Sequence, residues 1–326
     1  MEKAFACWHI SPAETQILPV GLPASGPDEV LIRASHSLIS TGTERLVALG
    51  RVPAEVQADM QVPFMGGSFT FPVKYGYSLV GEVLSPDHPL SGQWVHLLHP
   101  HQTLLRVPAS ALSPIPSGIP LRRAVLASNL ETALNAVWDS QVSLGDRVAI
   151  VGMGLVGLLT GLLVQKIPGI HLTVWDTSPV RQHQARQLRF QVGADPAPAS
   201  CDVVFHTSAT APGLQTALDL TGPEATLVEL SWYGDRPVSL SLGGHFHAGR
   251  KRILSSQVSH LPATRLPRWD FRRRKAVVWD LLQDPVFDQL LTEPVPFDAL
   301  PAWFDRLRQG HQPAPGVYVV YAPEAI

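Results

Sequence analysis

The sequence RVAIVGMGLVGLLTGLLVQKIPGIHLTVWD, from Arg147 to Asp176, decides the fold. Its first apolar run, 148–151, has the length and the β-branched content of a buried strand. Three glycines at the spacing GxGxxG follow, and an apolar segment of helical length runs on to Lys166. A second β-branched run, 170–175, ends at an aspartate. Strand, glycine turn, helix and strand in this order predict a dinucleotide-binding βαβ unit.

Each glycine of this turn has a separate predicted role. Gly152 permits the tight turn, Gly154 lets the backbone approach a pyrophosphate, and Gly157 lets the helix pack closely on the strand. The helix that begins there, at Leu155 and Val156, directs unpaired N–H groups and the positive end of its dipole towards the phosphates. We therefore expect these five residues to bind a dinucleotide cofactor.

The acid that closes the second strand bears on the choice of cofactor. A carboxylate at Asp176 accepts hydrogen bonds from ribose hydroxyls and repels a 2′-phosphate. Arg181 and Arg186, on the helix predicted to follow, could instead bind that phosphate. The sequence thus favours NAD(H) and leaves NADP(H) open, with Asp176 and Arg181 among the cofactor contacts.

The composition excludes several other classes of protein. The 326 residues include 25 Lys and Arg against 27 Asp and Glu, so a basic surface for nucleic acid is not expected. Apolar stretches fall short of the ~20 residues of a membrane span, and Met1-Glu2-Lys3 leads into a strand-like run without a signal-peptide core. Only Cys7 and Cys201 occur, which gives no disulfide framework. We expect a cytoplasmic protein that binds a small molecule, with neither a nucleic-acid nor a membrane partner.

The chain has two regions that differ in their predicted secondary structure. Residues up to 128 carry short strand-like runs between Pro and Gly turns, which is typical of a barrel or sandwich. A loop-rich stretch, 37–77, interrupts them. From the helix predicted over 121–138 onwards, helices and strands alternate, which indicates a parallel sheet with helices on both faces. Residues 260–326 are too few to stand alone, so we expect them to return to the first domain.

This organisation resembles the medium-chain dehydrogenase/reductase family, also called zinc-type alcohol dehydrogenase-like. The segment 27–33 (PDEVLIR) is similar to an early strand of that family, and 75–83 (YGYSLVGEV) to its GHExxGxV segment. Residues 145–148 (GDRV) lead into the glycine turn as they do in the family, and 302–321 resemble its last helix and strand.

The resemblance implies an α/β plus β fold in two domains. A GroES-like β-barrel domain is expected over 1–128 and 260–326. A Rossmann domain, a doubly wound parallel sheet, is expected over 129–259. Family members join these sheets edge to edge, so a homodimer is expected by analogy.

The chain departs from the family at the metal site. Zinc members bind the metal with a cysteine, a histidine–glutamate pair and a later cysteine or acid. Here Ser40 lies near the cysteine position, Tyr77-Ser78 replaces the pair, and 86–100 lacks the four-cysteine zinc loop. Tetrahedral zinc needs three or four Cys, His or carboxylate ligands. We therefore predict that no zinc is bound.

The resemblance places candidate catalytic residues on loops that face the nicotinamide: Ser40, Thr43, Glu44, Tyr77 and Ser78. Tyr77 could donate a hydrogen bond to a substrate oxygen, or it could be a packing aromatic. Ser40 and Thr43 could orient substrate or ribose, or cap a loop. Glu44 could relay a proton, or be an acid at a helix N-terminus. Lys74 is a weaker candidate.

Other polar residues have simpler interpretations. The pairs His99/His101 and His245/His247 lack Cys or acid neighbours at ligand spacing, so they are predicted to be surface histidines. The basic runs 250–252 and 272–275 are predicted to be solvated faces, with a contact to an acidic substrate or to cofactor phosphates as the alternative. His206, Ser208 and Ser231 follow predicted strands. The two serines are assigned to cofactor binding, and His206 to a structural or cofactor-edge role.

These observations predict a zinc-independent, NAD(P)(H)-dependent oxidoreductase. Hydride would pass between the nicotinamide and an alcohol, carbonyl or activated alkene held in a cleft between the domains. One alternative is a non-catalytic dinucleotide sensor or scaffold. The other is a dehydrogenase of a bulky tetrapyrrole-like secondary alcohol, because 39–44 (ISTGTE) and 50–53 (GRVP) resemble bacteriochlorophyllide-type hydroxyethyl dehydrogenases. That activity would need an apolar cleft near Phe64, Phe69 and Phe71.

Overall fold

The computed structural model describes residues 3–22, 24, 26, 28–194 and 199–321. Pro27, in the segment compared with the family's early strand, and Asp195, in a predicted turn, lie outside the described residues. The chain divides into two compact units. One runs to Ser128 and resumes at Trp279, and the other spans Asn129–Val278.

The described strands are β1 (Ala4–Ser11), β2 (Glu14–Val20), β3 (Glu29–Ile39), β4 (Gly66–Gly67), β5 (Val73–Lys74), β6 (Leu79–Val83), β7 (Trp94–Leu97), β8 (Leu104–Pro108), β9 (Ser113–Pro114), β10 (Arg147–Val151), β11 (His171–Trp175), β12 (Gln191–Val192), β13 (Cys201–His206), β14 (Thr221–Glu229), β15 (Arg252–Ser255), β16 (Leu291–Pro296) and β17 (Gly316–Val320). The described α-helices are α1 (Thr41–Ala48), α2 (Leu121–Ala124), α3 (Ala127–Ser140), α4 (Leu155–Val164), α5 (Pro179–Gln187), α6 (Ala211–Leu220), α7 (His245–Ala248), α8 (Phe271–Leu281) and α9 (Leu300–Arg308).

The first unit is built on the long strand β3. One of its sheets has the order β16-β17-β3-β6-β7-β9, with β8 also paired to β3, and a second sheet has the order β2-β1-β5-β4. Strand β17 pairs antiparallel with β3, so the end of the chain closes this sheet. Trp303 and Phe304 of α9 are buried in the same core as Ile32 and Leu105.

The loop-rich stretch 37–77 includes the end of β3, which extends to Ile39, and α1, which begins after Ser40. One predicted helix in the first part of the chain is wrong. The helix predicted over 121–138 is two helices, α2 and α3. Val125 and Leu126 lie between the two helices, and both are fully buried. Successive residues of a continuous helix point in different directions, so the break allows both side chains to be buried.

The second unit is a doubly wound parallel sheet. Its strand order is β12-β11-β10-β13-β14-β15, with each neighbouring pair parallel. Numbered along the chain, this is the 3-2-1-4-5-6 order of the Rossmann fold. The predicted fold class, a Rossmann sheet with a GroES-like barrel, is confirmed. Ligands bind such sheets at the carboxyl ends of the strands, where the order reverses between β10 and β13.

The segment after β15 belongs to the second unit up to Val278, which is further along the chain than the sequence predicts. The return to the first unit was expected at residue 260 but comes at Trp279. Arg274 on α8 donates to Glu131 and Asn135 of α3 and to the Val258 carbonyl oxygen, and Lys275 also donates to Glu131. These buried polar contacts bind the start of α8 to the second unit.

Candidate cofactor site and candidate catalytic residues

The glycine turn after β10 has little space for side chains at two of its three glycines. Gly152 has a φ of +104°, and a Cβ there would lie 2.6 Å from the Ser208 backbone nitrogen. A Cβ at Gly157 would lie 2.0 Å from the Gly152 carbonyl oxygen. Both contacts are far inside van der Waals distance, so the predicted roles of these glycines in the turn and in helix packing are confirmed.

Gly154 differs from the other two glycines. No heavy atom of the described chain lies within 4 Å of the position that its Cβ would take. Gly154 is also the N-cap of α4, and no side chain caps the helix there. The first N–H groups of α4, from Leu155 and Val156 onwards, therefore have no side-chain acceptor at the cap. An anion can approach this open helix start, which carries the positive end of the helix dipole.

Asp176 lies directly after β11 and is tied to the glycine turn. Its Oδ2 accepts a hydrogen bond of 2.7 Å from the Met153 backbone N–H, and its Oδ1 accepts one of 2.8 Å from the Ser178 N–H. Arg181 approaches Oδ2 to 3.7 Å. An ionised carboxylate has about four acceptor positions, so Asp176 retains capacity for ribose hydroxyls.

A polar network occupies the carboxyl ends of β13 and β14. His206, the last residue of β13, is fully buried, and its Nδ1 lies 2.9 Å from both carboxylate oxygens of Glu229. Its Nε2 lies 2.7 Å from the Ser208 Oγ. Tyr233 donates its hydroxyl to Glu229, and burial raises the pKa of that hydroxyl. Ser231 binds Glu229 through its N–H and accepts from the Ala209 N–H through its Oγ. Sequence reasoning singled out His206 and the two serines but missed Glu229.

The barrel unit holds a second polar network around Glu44. Glu44 is 1% exposed, and its Oε1 accepts from the backbone N–H of Ser40, the N-cap of α1, at 2.7 Å. Its Oε2 lies 2.9 Å from the Nε2 of His101, which is equally buried. The His101 Nδ1 lies 2.7 Å from the Ser37 Oγ, and that oxygen is 2.9 Å from the Tyr321 hydroxyl. Glu44 is thus both a helix N-terminal acid and part of a buried chain of proton-bearing groups.

Tyr77 lies beside this network. Its hydroxyl hydrogen-bonds with the side chains of Ser40 and Thr43, and burial raises its pKa to about 12. The hydroxyl therefore stays protonated at physiological pH. Three of the five candidate catalytic residues thus meet at one hydroxyl cluster, and Glu44 follows Thr43 directly on α1.

The Ser78 hydroxyl has partners outside the cluster of Ser40, Thr43 and Tyr77. Its hydroxyl donates to the Val125 carbonyl oxygen at 2.6 Å and lies 3.0 Å from the His96 Nε2. It is 1% exposed. The side chain therefore has a packing and hydrogen-bonding role inside the barrel, apart from the Tyr77 cluster.

Two interpretations of histidines and basic residues are wrong. His99 and His101 are not on the surface, because both are buried, and burial lowers the pKa of His99 to about 3. The basic runs are not wholly solvated faces either. Lys251 is buried and donates to the Leu218 carbonyl oxygen, and Arg274 and Lys275 are paired with Glu131. Sequence spacing gave no sign of these partners, which come from distant parts of the chain.

The residues at the expected metal position do not suit zinc. Ser40 and Tyr77 offer hydroxyl oxygens in place of a thiolate and an imidazole, which are the ligands that zinc prefers. Throughout the described residues, no group of three or more His, Cys, Asp or Glu side chains could hold a metal ion.

The two units and the open glycine turn define a Rossmann-type α/β protein with a β-barrel unit. No family model matches the chain. The D-guloside 3-dehydrogenase of Shigella flexneri is 25% identical over 186 residues, which are 53% of this chain and 53% of that protein. The chain thus spans about half the length of the curated relatives it matches.

Solved structures match over nearly the whole chain. The 2R,3R-butanediol dehydrogenase of Bacillus subtilis has a TM-score of 0.76 at 16% identity, covering 97% of this chain and 99% of that one. The acetophenone reductase of Geotrichum candidum, solved with NAD, has a TM-score of 0.76 at 17% identity, covering 98% of each. These structures confirm the predicted fold. The curated relatives also include an uncharacterized zinc-type alcohol dehydrogenase-like protein of Haemophilus influenzae, which is 30% identical over 94 residues, 29% of this chain and 27% of that protein.

Proposed function

We propose that this chain is an NAD(H)-dependent oxidoreductase that interconverts alcohols and carbonyl compounds without zinc. The observation that carries the proposal is the glycine turn after β10, whose middle glycine, Gly154, leaves the start of α4 open to a diphosphate. The names of the relatives support the substrate class, because a guloside and a butanediol are alcohols and acetophenone is a ketone.

The chain's own residues would hold the cofactor and bind the substrate oxygen. The N–H groups at the start of α4 would bind the diphosphate, and Asp176 would accept from ribose hydroxyls. Bound nicotinamide supplies hydride chemistry that no side chain can provide. Tyr77, protonated and oriented by Ser40 and Thr43, would donate a hydrogen bond to the substrate oxygen.

Proton storage is proposed for the buried pair of Glu44 and His101. A carboxylate and an imidazole 2.9 Å apart can share one proton, and the chain of hydrogen bonds continues through Ser37 to Tyr321. Glu44 also accepts from the Ser40 backbone N–H, which places the pair beside the hydroxyl cluster of Ser40, Thr43 and Tyr77.

The test is hydride transfer with purified protein and a panel of secondary alcohols, glycosides and ketones, followed by absorbance of NADH. We expect turnover of at least one compound, and the same rate after treatment with a zinc chelator. A preparation that binds NADH but turns over nothing on a broad panel would favour the sensor alternative. Loss of activity on chelation, restored by zinc, would contradict the metal-free proposal.

Replacing Asp176 by asparagine is expected to change the choice of cofactor. Asparagine keeps an acceptor for the Met153 N–H but removes the negative charge that faces a 2′-phosphate. We expect the ratio of NADH to NADPH affinity to fall about tenfold, or ~1.4 kcal/mol. Fluorescence titration with both reduced nucleotides measures the ratio. An unchanged ratio would mean that this carboxylate does not select the cofactor.

Two further predictions remain proposals. A homodimer formed by joining sheet edges is supported by β15, an edge strand on which Ile253 and Leu254 are 40% and 38% exposed; the molar mass in solution tests it. A tetrapyrrole-like substrate has less support, because Phe69 is buried against Tyr75 and Phe64 stacks on His99.

No helix of the described chain has the length and apolar character to cross a membrane.

A further inference from the structure

Both ring nitrogens of the buried His206 have hydrogen-bonding partners. The Nδ1 lies 2.9 Å from the Glu229 carboxylate, and the Nε2 lies 2.7 Å from the Ser208 Oγ. Ser208 is only partly buried, and its oxygen lies 3.0 Å from the Thr210 hydroxyl. The network therefore links the fully buried His206 and the partly buried Glu229 to a hydroxyl at the surface of the second unit.

The position of this network relates it to one half of the dinucleotide site. In the 3-2-1-4-5-6 order, each half of the sheet takes one mononucleotide. Asp176 belongs to the β10–β12 half, where the adenosine ribose would lie. His206, Ser208 and Glu229 follow β13 and β14, in the other half, and Ser208 packs its backbone against Gly152 of the turn. The network is thus on the side expected for the nicotinamide nucleotide.

The Ser208 hydroxyl has capacity for one further partner. Its oxygen lies 2.7 Å from the His206 Nε2 and 3.0 Å from the Thr210 hydroxyl. A hydroxyl offers one donor and two acceptor positions, so one position remains for a group of a ligand. The other side of the His206 ring is held by Glu229, which also accepts from the Tyr233 hydroxyl and the Ser231 N–H.

We infer that His206 is a positioning residue, which holds the Ser208 hydroxyl for a hydrogen bond to the nicotinamide riboside half of the cofactor. The partner on the cofactor is either a hydroxyl of the ribose or the amide of the nicotinamide. This inference rests on the proposed function, because it assumes that NAD(H) binds at the glycine turn.

The test compares the affinities of NADH, ADP-ribose and ADP for the wild type, Ser208→Ala and His206→Asn by titration calorimetry. We expect both variants to weaken NADH binding about tenfold and to leave ADP binding within twofold. Weakened ADP-ribose binding identifies the ribose as the partner of Ser208, and unchanged ADP-ribose binding identifies the nicotinamide amide.

The outcomes separate this inference from the proposed function. Equal weakening of ADP and NADH would show that the residues only support the fold, and unchanged NADH affinity in Ser208→Ala would also overturn the inference. If the wild type binds none of the three nucleotides, the proposed function itself fails. Ser208→Ala removes one partly exposed hydroxyl, so it keeps the test decisive even if His206→Asn does not fold.

Discussion

Replacing Gly154 with valine is expected to lower the affinity for NADH by at least about 100-fold, or ~2.8 kcal/mol. The side chain would project into the space that the structure leaves open above the start of α4, where the diphosphate is proposed to bind. The fold itself should tolerate the change, because the backbone at Gly154 is extended, with φ −70° and ψ −177°. The loss of a glycine N-cap should cost no more than about 1 kcal/mol of unfolding free energy.

Two matched variants control this result. Gly21→Val is also made at a glycine with open space around its Cβ position, but in the barrel unit, and should leave NADH affinity unchanged. Gly157→Ala should instead destabilise the protein by about 1–3 kcal/mol, because its Cβ would press on the Gly152 carbonyl oxygen. Ligand-induced shifts in melting temperature and urea unfolding measure the two effects separately. Normal NADH binding by a folded Gly154→Val protein would rule out the proposed diphosphate position.

Replacing Tyr77 with phenylalanine is expected to reduce kcat about 100-fold while leaving NADH affinity unchanged. The substitution removes the hydroxyl that Ser40 and Thr43 orient, and with it the proposed hydrogen bond to the substrate oxygen. The pKa of about 12 means that the wild-type hydroxyl stays protonated, so kcat should show no Tyr77 ionisation below about pH 11. Steady-state kinetics on the alcohol or ketone identified in the substrate panel gives the measurement.

Tyr75 provides the matched control for Tyr77. It lies two residues away, is buried, and donates its hydroxyl to the Met60 carbonyl oxygen rather than to the Ser40–Thr43 cluster. Tyr75→Phe should therefore keep kcat within about threefold. Equal losses in both variants would indicate that hydroxyl removal disturbs the barrel, and an active Tyr77→Phe protein would exclude Tyr77 from the chemistry.

The Rossmann half could be predicted from the sequence because its signals are local. The glycine spacing, the β-branched runs and the acid after β11 all lie within 30 consecutive residues. Strand β10 was predicted over 148–151 and is observed at Arg147–Val151, because its apolar run has strand length. The barrel was predicted only as a class, because its pairings, such as β17 with β3, join residues far apart in the chain.

The polar networks were harder to predict for the same reason. His101 is 57 residues from Glu44, and Arg274 is 143 residues from Glu131, so no local spacing connects either pair. The available signal for Glu229 was its place at the end of a predicted strand in a parallel sheet, where ligand contacts collect. The same rule had already singled out Asp176 and Ser208.

Amide hydrogen–deuterium exchange with and without NADH tests the central claim most directly. If the backbone at the start of α4 binds the diphosphate, saturating NADH should slow exchange in the peptide that spans residues 152–164, and ADP should do the same. Binding of NADH without protection of this peptide would place the cofactor elsewhere. A protein that takes up no nicotinamide nucleotide at all would contradict the account.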